Sequence, residues 1–123
     1  MRDFRKLNVW IQGIEIVTQI YKLSEQLPDT EKFGLKSQIQ RAAVSIPSNI
    51  AEGASRNSEV EFKRFLEIAI GSSFELETQL LIIENLTMIN SDVLKDIFIL
   101  ISSEQKMINS LISKINSSKN TKH

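Results

Sequence analysis

Apolar residues recur along this chain at steps of three and four in four separate stretches, the period of one face of a helix. The first stretch, from about Leu7 to Leu27, aligns Trp10, Ile14, Val17 and Tyr21 as its core stripe and flanks them with Ile16, Ile20 and Leu23. Pro28 ends it, because proline has no N–H to continue the ladder and pushes the preceding residue toward extended geometry. The second begins between Gly34 and Ser37, carries Ile39, Ala42 or Ala43, Ile46 and Ile50, and closes at Gly53, which reads as a C′ glycine. Ser58 followed by Glu61 has the spacing of a capping box and opens the third. Its stripe is Phe62, Phe65 or Leu66, Ala69, Ser73, Leu76, Leu80 and Ile83, reaching Leu86 before Asn90-Ser91-Asp92 interrupts the pattern. The fourth uses Val93, Ile97, Leu100 or Ile101, Glu104, Ile108, Leu111 and Ile115. Residues 1–115 therefore form one domain, and the polar segment 116–123 is expected to be a disordered tail.

Four long helices joined by short breaks predict an all-α, antiparallel up-down four-helix bundle. Pro47 lies within the second helix. It removes one hydrogen bond and crowds the carbonyl of residue 43, at a usual cost of ~3 kcal/mol or more. Because the apolar steps stay in phase across it, a kinked continuous helix is expected rather than a break with Ser48 or Asn49 as a new cap. Two runs, Leu80 to Ile83 and Ile97 to Ile101, are apolar nearly all round the helix, although a bundle core needs one stripe. The outward members Leu81, Ile82, Phe98 and Ile99 are the candidate oligomer interface, since soluble monomers seldom expose such patches.

Composition removes several function classes. The 123 residues include 15 Lys+Arg and 15 Asp+Glu, so no global field draws the chain onto nucleic acid or an anionic membrane. With 0 Cys there is no disulfide, thiolate metal site or cysteine nucleophile, which suits a reducing compartment. The charged start Met1-Arg-Asp-Phe-Arg-Lys has no secretion-signal pattern behind it, and the longest apolar run is far below the ~20 residues of a membrane span. The expectation is a soluble cytoplasmic protein. The 1 histidine is His123, the final residue, so a general base of the usual kind is missing from the core. No Glu-x-x-His occurs for a carboxylate-bridged metal pair, Glu75 and Glu77 point about 200° apart on a helix, and the 4 glycines form no phosphate loop. No catalysis, metal or cofactor is expected.

Beside the core stripe of the second helix runs a polar one: Arg41, Ser45, Ser48 or Asn49, Glu52 and Arg56. With Pro47 and Gly53 it forms the most distinctive segment of the chain. Arg41, Arg56, Lys63 and Arg64 around the following turn, and Arg2, Arg5 and Lys6 at the amino end, are candidate nucleic-acid contacts. The competing reading pairs these bases with Glu52, Glu67, Glu75 or Glu77 of their own or a neighbouring subunit, and the interleaving of charges favours it. On that reading Arg41 belongs to a buried network, and Arg41→Ala costs ~3 to 5 kcal/mol. Trp10 and Tyr21 have the chemistry to stack bases, but their spacing places them in the core.

The segment from Gln38 through Arg41-Ala-Ala-Val-Ser-Ile-Pro-Ser-Asn-Ile-Ala-Glu-Gly53 to Arg56 resembles the bacterial four-helix bundle family called 23S ribosomal RNA intervening-sequence proteins. So do Phe33-Gly34-Leu35, Glu61-Phe62, Arg64-Phe65-Leu66, Ala69, Gly71-Ser72 and Glu75 to Leu80. The family is similar to the accessory protein of diversity-generating retroelements, a pentameric barrel of four-helix subunits associated with nucleic acid and a reverse transcriptase. The resemblance implies a closed homopentameric ring acting as a non-enzymatic adaptor for RNA, DNA or a nucleic-acid enzyme. That relative is strongly basic, whereas this chain has a pI near 6.6. A protein-only scaffold is accordingly the alternative.

Overall fold

The computed structural model describes residues 2–121, and among them there are four α-helices and no strand. They are α1 (Asn8–Ser24), α2 (Leu35–Ala54), α3 (Glu59–Asn85) and α4 (Ser91–Thr121). Short 3-10 turns at Phe4–Lys6 and Asp29–Glu31 precede α1 and α2. Each helix packs on its two neighbours around a square, α1 on α2 and α4, and α3 on α2 and α4, while the backbones of the diagonal pairs stay farther apart. Cross-helix bonds tie neighbouring helices together: Gln40 Nε2 donates to Ser24 Oγ at 2.9 Å, Ser45 and Ser72 hydroxyls meet at 2.7 Å, and Gln105 Nε2 donates to Glu77 Oε1 at 3.0 Å.

The helix ends follow local chemistry. Ser24 stops α1 earlier than Leu27: its buried hydroxyl donates to the Tyr21 carbonyl at 2.7 Å, and Leu27 then plugs the bundle end as a buried turn residue. Glu31 caps α2 by accepting from the Leu35 N–H at 3.1 Å. Ser58 caps α3 by accepting from Glu61 N–H at 3.2 Å, as the capping-box spacing predicts. At the far end of α3, Thr87 N–H bonds Glu84 O and Met88 N–H bonds Ile83 O, the paired pattern of a Schellman motif. Its left-handed position is occupied by Thr87 at φ 54°. Asn90 Oδ1 then accepts from Asp92 N–H at 2.8 Å and caps α4. α4 continues past Ile115 to Thr121, within the segment expected to be disordered, because extending an existing helix adds one bond per residue without a new nucleus. His123 lies outside the described residues.

The core is the meeting of four stripes. Those of α2 and α3 are the predicted ones, from Ile39 to Ile50 and from Phe62 to Ile83. In α4 the inner face is Leu94, Ile97, Ile101, Glu104, Ile108 and Ile115, with Val93 exposed. α1 requires a correction. Its core stripe is Val9, Gly13, Ile16, Ile20 and Leu23, whereas Ile14 and Tyr21 are exposed and Trp10 and Val17 lie half-buried on the flank. Apolar residues cover two faces of α1, and period alone does not say which of them turns inward.

Gly53 is also corrected. It lies inside α2 with negative φ, so no left-handed conformation calls for glycine there. A Cβ at this position would sit 2.6 Å from Phe65 Cβ and 3.0 Å from Phe62 Cδ1. The glycine is a close-approach residue that lets α3 lie against α2. Pro47 stays within one continuous α2, as expected, and its ring packs on α1 at Gly13, where a Cβ would come within 3.2 Å of Pro47 Cβ.

Candidate functional site

The polar stripe of α2 divides into an inner and an outer part. Ser45 and Asn49 are half-buried, with Asn49 Nδ2 donating to Ser45 O at 2.8 Å and to Ser45 Oγ at 3.0 Å. Ser45 in turn meets Ser72, so this network ties α2 to α3 beside Pro47. Arg41 is not part of it. It is exposed and forms no ion pair among the described residues, lining instead a cleft of about 420 Å³ with Gln38, Ser45, Glu75 and Gln79. The expected buried pair is therefore overturned within the chain: Arg41 sits two residues past Ile39 on a helix whose inner face is already full of isoleucine and alanine. Ser48 is exposed, and Glu52 and Arg56 pair at 3.3 Å on the surface, one turn apart.

The remaining bases do not converge. Arg56 and Arg64 lie over the Phe65 ring at 5.2 and 5.8 Å, while Lys63 is half-buried. Arg2 is a structural tie: it pairs with Glu59 at 2.6 Å, stacks over Phe62 at 4.5 Å, and donates its backbone N–H to Ala54 O. Arg5 is engaged by Asp3 at 3.3 Å, and the Arg5 N–H holds the Asp3 carboxyl below its usual range. Lys6 alone of the amino-end cluster faces a groove, which it shares with Lys106 and Lys114 of α4.

The most unusual group is Glu104. It is fully buried, neither carboxyl oxygen has a hydrogen-bond partner, and burial pushes its pKa up to about 8. At neutral pH it is mostly the neutral acid, the form a low-dielectric core tolerates. Gly13 makes room for it, since a Cβ there would lie 3.3 Å from Glu104 Oε2. The apolar spacing puts Glu104 on the core stripe, but nothing in the sequence shows that no base comes to meet it. Gln12 beside this point donates to Ser103 Oγ at 3.2 Å and leaves its own buried oxygen unpartnered. Among the described residues no group of three or more His, Cys, Asp or Glu side chains gathers as a metal site, and no helix is long and apolar enough to cross a membrane.

Outside the core, apolar side chains concentrate on two helices. α3 exposes Phe74, Leu81 and Ile82, the last two at 48% and 43%, around an open Gly71 with nothing within 4 Å of its Cβ position. α1 exposes Ile11, Ile14 and Tyr21, and α2 adds Val44 beside them. Ile99 of α4 is 61% exposed, but Phe98 is half-buried and packs against the core, so it belongs to the fold rather than to an outer surface. The α1 stripe is the part of the outer surface that the sequence does not single out, because its helical spacing fits a core stripe equally well.

A crystal structure of a protein of unknown function from the S23 ribosomal protein family of Bacteroides thetaiotaomicron has the same fold, with a TM-score of 0.79 and 26% identity over 85% of this chain and 97% of that one. No curated protein matches the sequence. The family model described as 23S rRNA-intervening sequence protein matches residues 5–110. Together with the shared four-helix architecture, that match across the bundle establishes that the chain belongs to the 23S rRNA-intervening sequence protein family.

Proposed function

We propose that the protein is a non-catalytic assembly module whose subunits join head to tail into a closed ring, five-fold by family resemblance, that serves in the cytoplasm as an adaptor for nucleic acid or a nucleic-acid enzyme. The observation that carries this is the pair of unpartnered apolar stripes on α1 and α3, two helices on one diagonal of the square. An isologous dimer needs one self-complementary patch. Two different patches facing opposite ways suit a heterologous contact, and a heterologous contact whose rotation closes on itself makes a ring, whereas one that does not close makes an open filament. Leu81 and Ile82 on α3 would meet Ile11, Ile14 and Tyr21 of the next subunit, with Gly71 admitting a side chain.

Light scattering at micromolar concentration tests the ring: a multiple of the chain mass is expected, and a monomer mass would overturn it. The protein-only scaffold is favoured by the self-compensation of the bases, since Arg2, Arg5 and Arg56 are each paired with an acid. A salt-sensitive gel shift of RNA or DNA at physiological ionic strength separates the two readings.

A further inference from the structure

The groove between the amino end of α1 and the carboxy-terminal half of α4 has a volume of about 940 Å³. Its floor is Leu7, Val9, Met107 and Leu111, and its rim carries Lys6, Lys106 and Lys114. No acidic residue lines it, although the chain as a whole balances 15 bases with 15 acids. None of the three lysines has an ion-pair partner among the described residues, and the nearby Asp3 is taken up by Arg5. From Gln105 to Thr121, the second half of α4, the sequence contains no Asp or Glu at all, so the charge of this half-helix is one-signed by composition.

We propose that this groove docks an amphipathic helix of a partner protein, apolar on the face that meets Leu7, Met107 and Leu111 and acidic along the edges that meet the lysines. Three features select this occupant. Along α4 the groove runs from Lys106 to Ser117, about 16 Å, the length of three helical turns. The apolar side chains Leu7, Val9, Met107 and Leu111, set among uncharged polar Asn and Ser, ask for a stripe of side chains at i, i+3, i+4 and i+7, and Met107 is a side chain that adapts to such guests. The lining has no aromatic ring on which a base would stack and no arginine to fork a phosphate, so single-stranded nucleic acid lacks its usual anchors here. The groove lies within one subunit, so the proposal does not depend on the ring.

The test uses a fluorescein-labelled synthetic helix of about 18 residues with a Leu stripe flanked by Glu, read by anisotropy against the full chain. Its companions are the same peptide with Lys in place of Glu and an oligouridylate of about 12 nucleotides. Binding of the acidic peptide that weakens with salt, and about tenfold or more in Lys106→Glu/Lys114→Glu, supports the proposal. Both lysines are exposed, so that variant keeps the fold. The proposal is overturned by any of four results: no binding of the acidic peptide at millimolar concentration, equal binding by the Lys peptide, equal affinity for the variant, or oligouridylate binding in the peptide's place. A change of oligomer mass in the variant also overturns it, since the groove would then be a contact between copies. A monomer mass for the parent with peptide binding retained would end the ring and leave the groove standing.

Discussion

At the residue scale, single atoms decide which substitutions matter. Gly53 is the clearest case: a methyl group there meets Phe65 Cβ at 2.6 Å, between two packed helices that cannot both yield. Gly53→Ala is expected to destabilise the protein by about 1 to 3 kcal/mol in a denaturant melt, the range of overpacking, although alanine is the better helix former. Thr87 makes the opposite point. A β-branched residue at φ 54° strains the end of α3, and Thr87→Gly should raise stability by about 1 kcal/mol despite losing the hydroxyl bond to Leu86 O. Arg41→Ala should change stability by no more than about 0.5 kcal/mol, because the side chain is exposed and unpaired among the described residues. The sequence alone points to the contrary, since helical spacing puts Arg41 in line with Ser45 and Glu52. That alignment is real; depth across the helix is what the residue order does not contain.

At the element scale, much was legible. The stripes of α2 and α3, the Ser58 cap and the continuity of α2 through Pro47 all follow from period and local chemistry. What failed was the choice between competing faces. In α1 two apolar stripes run side by side, and only the packing of Gly13 against Pro47 and Glu104 shows which is inner. The candidate site was less legible still, because the groove between α1 and α4 joins residues about a hundred positions apart. The same packing sets a pH dependence on the docking of α4. Glu104 has a folded pKa raised from 4.5 to about 8, so the folded state holds the proton more tightly than the unfolded chain. Stability from this group is greatest below pH ~4.5, falls as pH rises through the window to ~8, and is flat above it. Glu104→Gln, which keeps the shape and cannot ionise, should flatten that window in melts recorded from pH 5 to 8, with the gain over the parent largest at the alkaline end.

For the whole molecule, the proposed assembly would rest on surfaces the single chain leaves open. Leu81→Glu/Ile82→Glu should reduce the mass seen by light scattering while circular dichroism stays helical, since both side chains are exposed in the single chain. Ile99→Glu tests α4 in the same way. Phe98→Glu does not, because it would lose core packing and confuse unfolding with dissociation. The sequence pattern named these four residues together; only burial separates the one that holds the fold from the three that face outward.

Between pH 4.5 and about 8, where Glu104 is neutral in the bundle and ionised in the open chain, the protein exchanges a proton with its solvent each time it folds. Near pH 6, unfolding should release about one proton per chain to the buffer. The heat absorbed in calorimetry then includes the buffer's own heat of protonation. Melts in phosphate, whose protonation heat is small, and in imidazole, whose protonation heat is large, should give different apparent enthalpies for the parent and matching ones for Glu104→Gln. In a closed ring every subunit carries this proton, so assembly coupled to folding would draw several protons from solution in a single event.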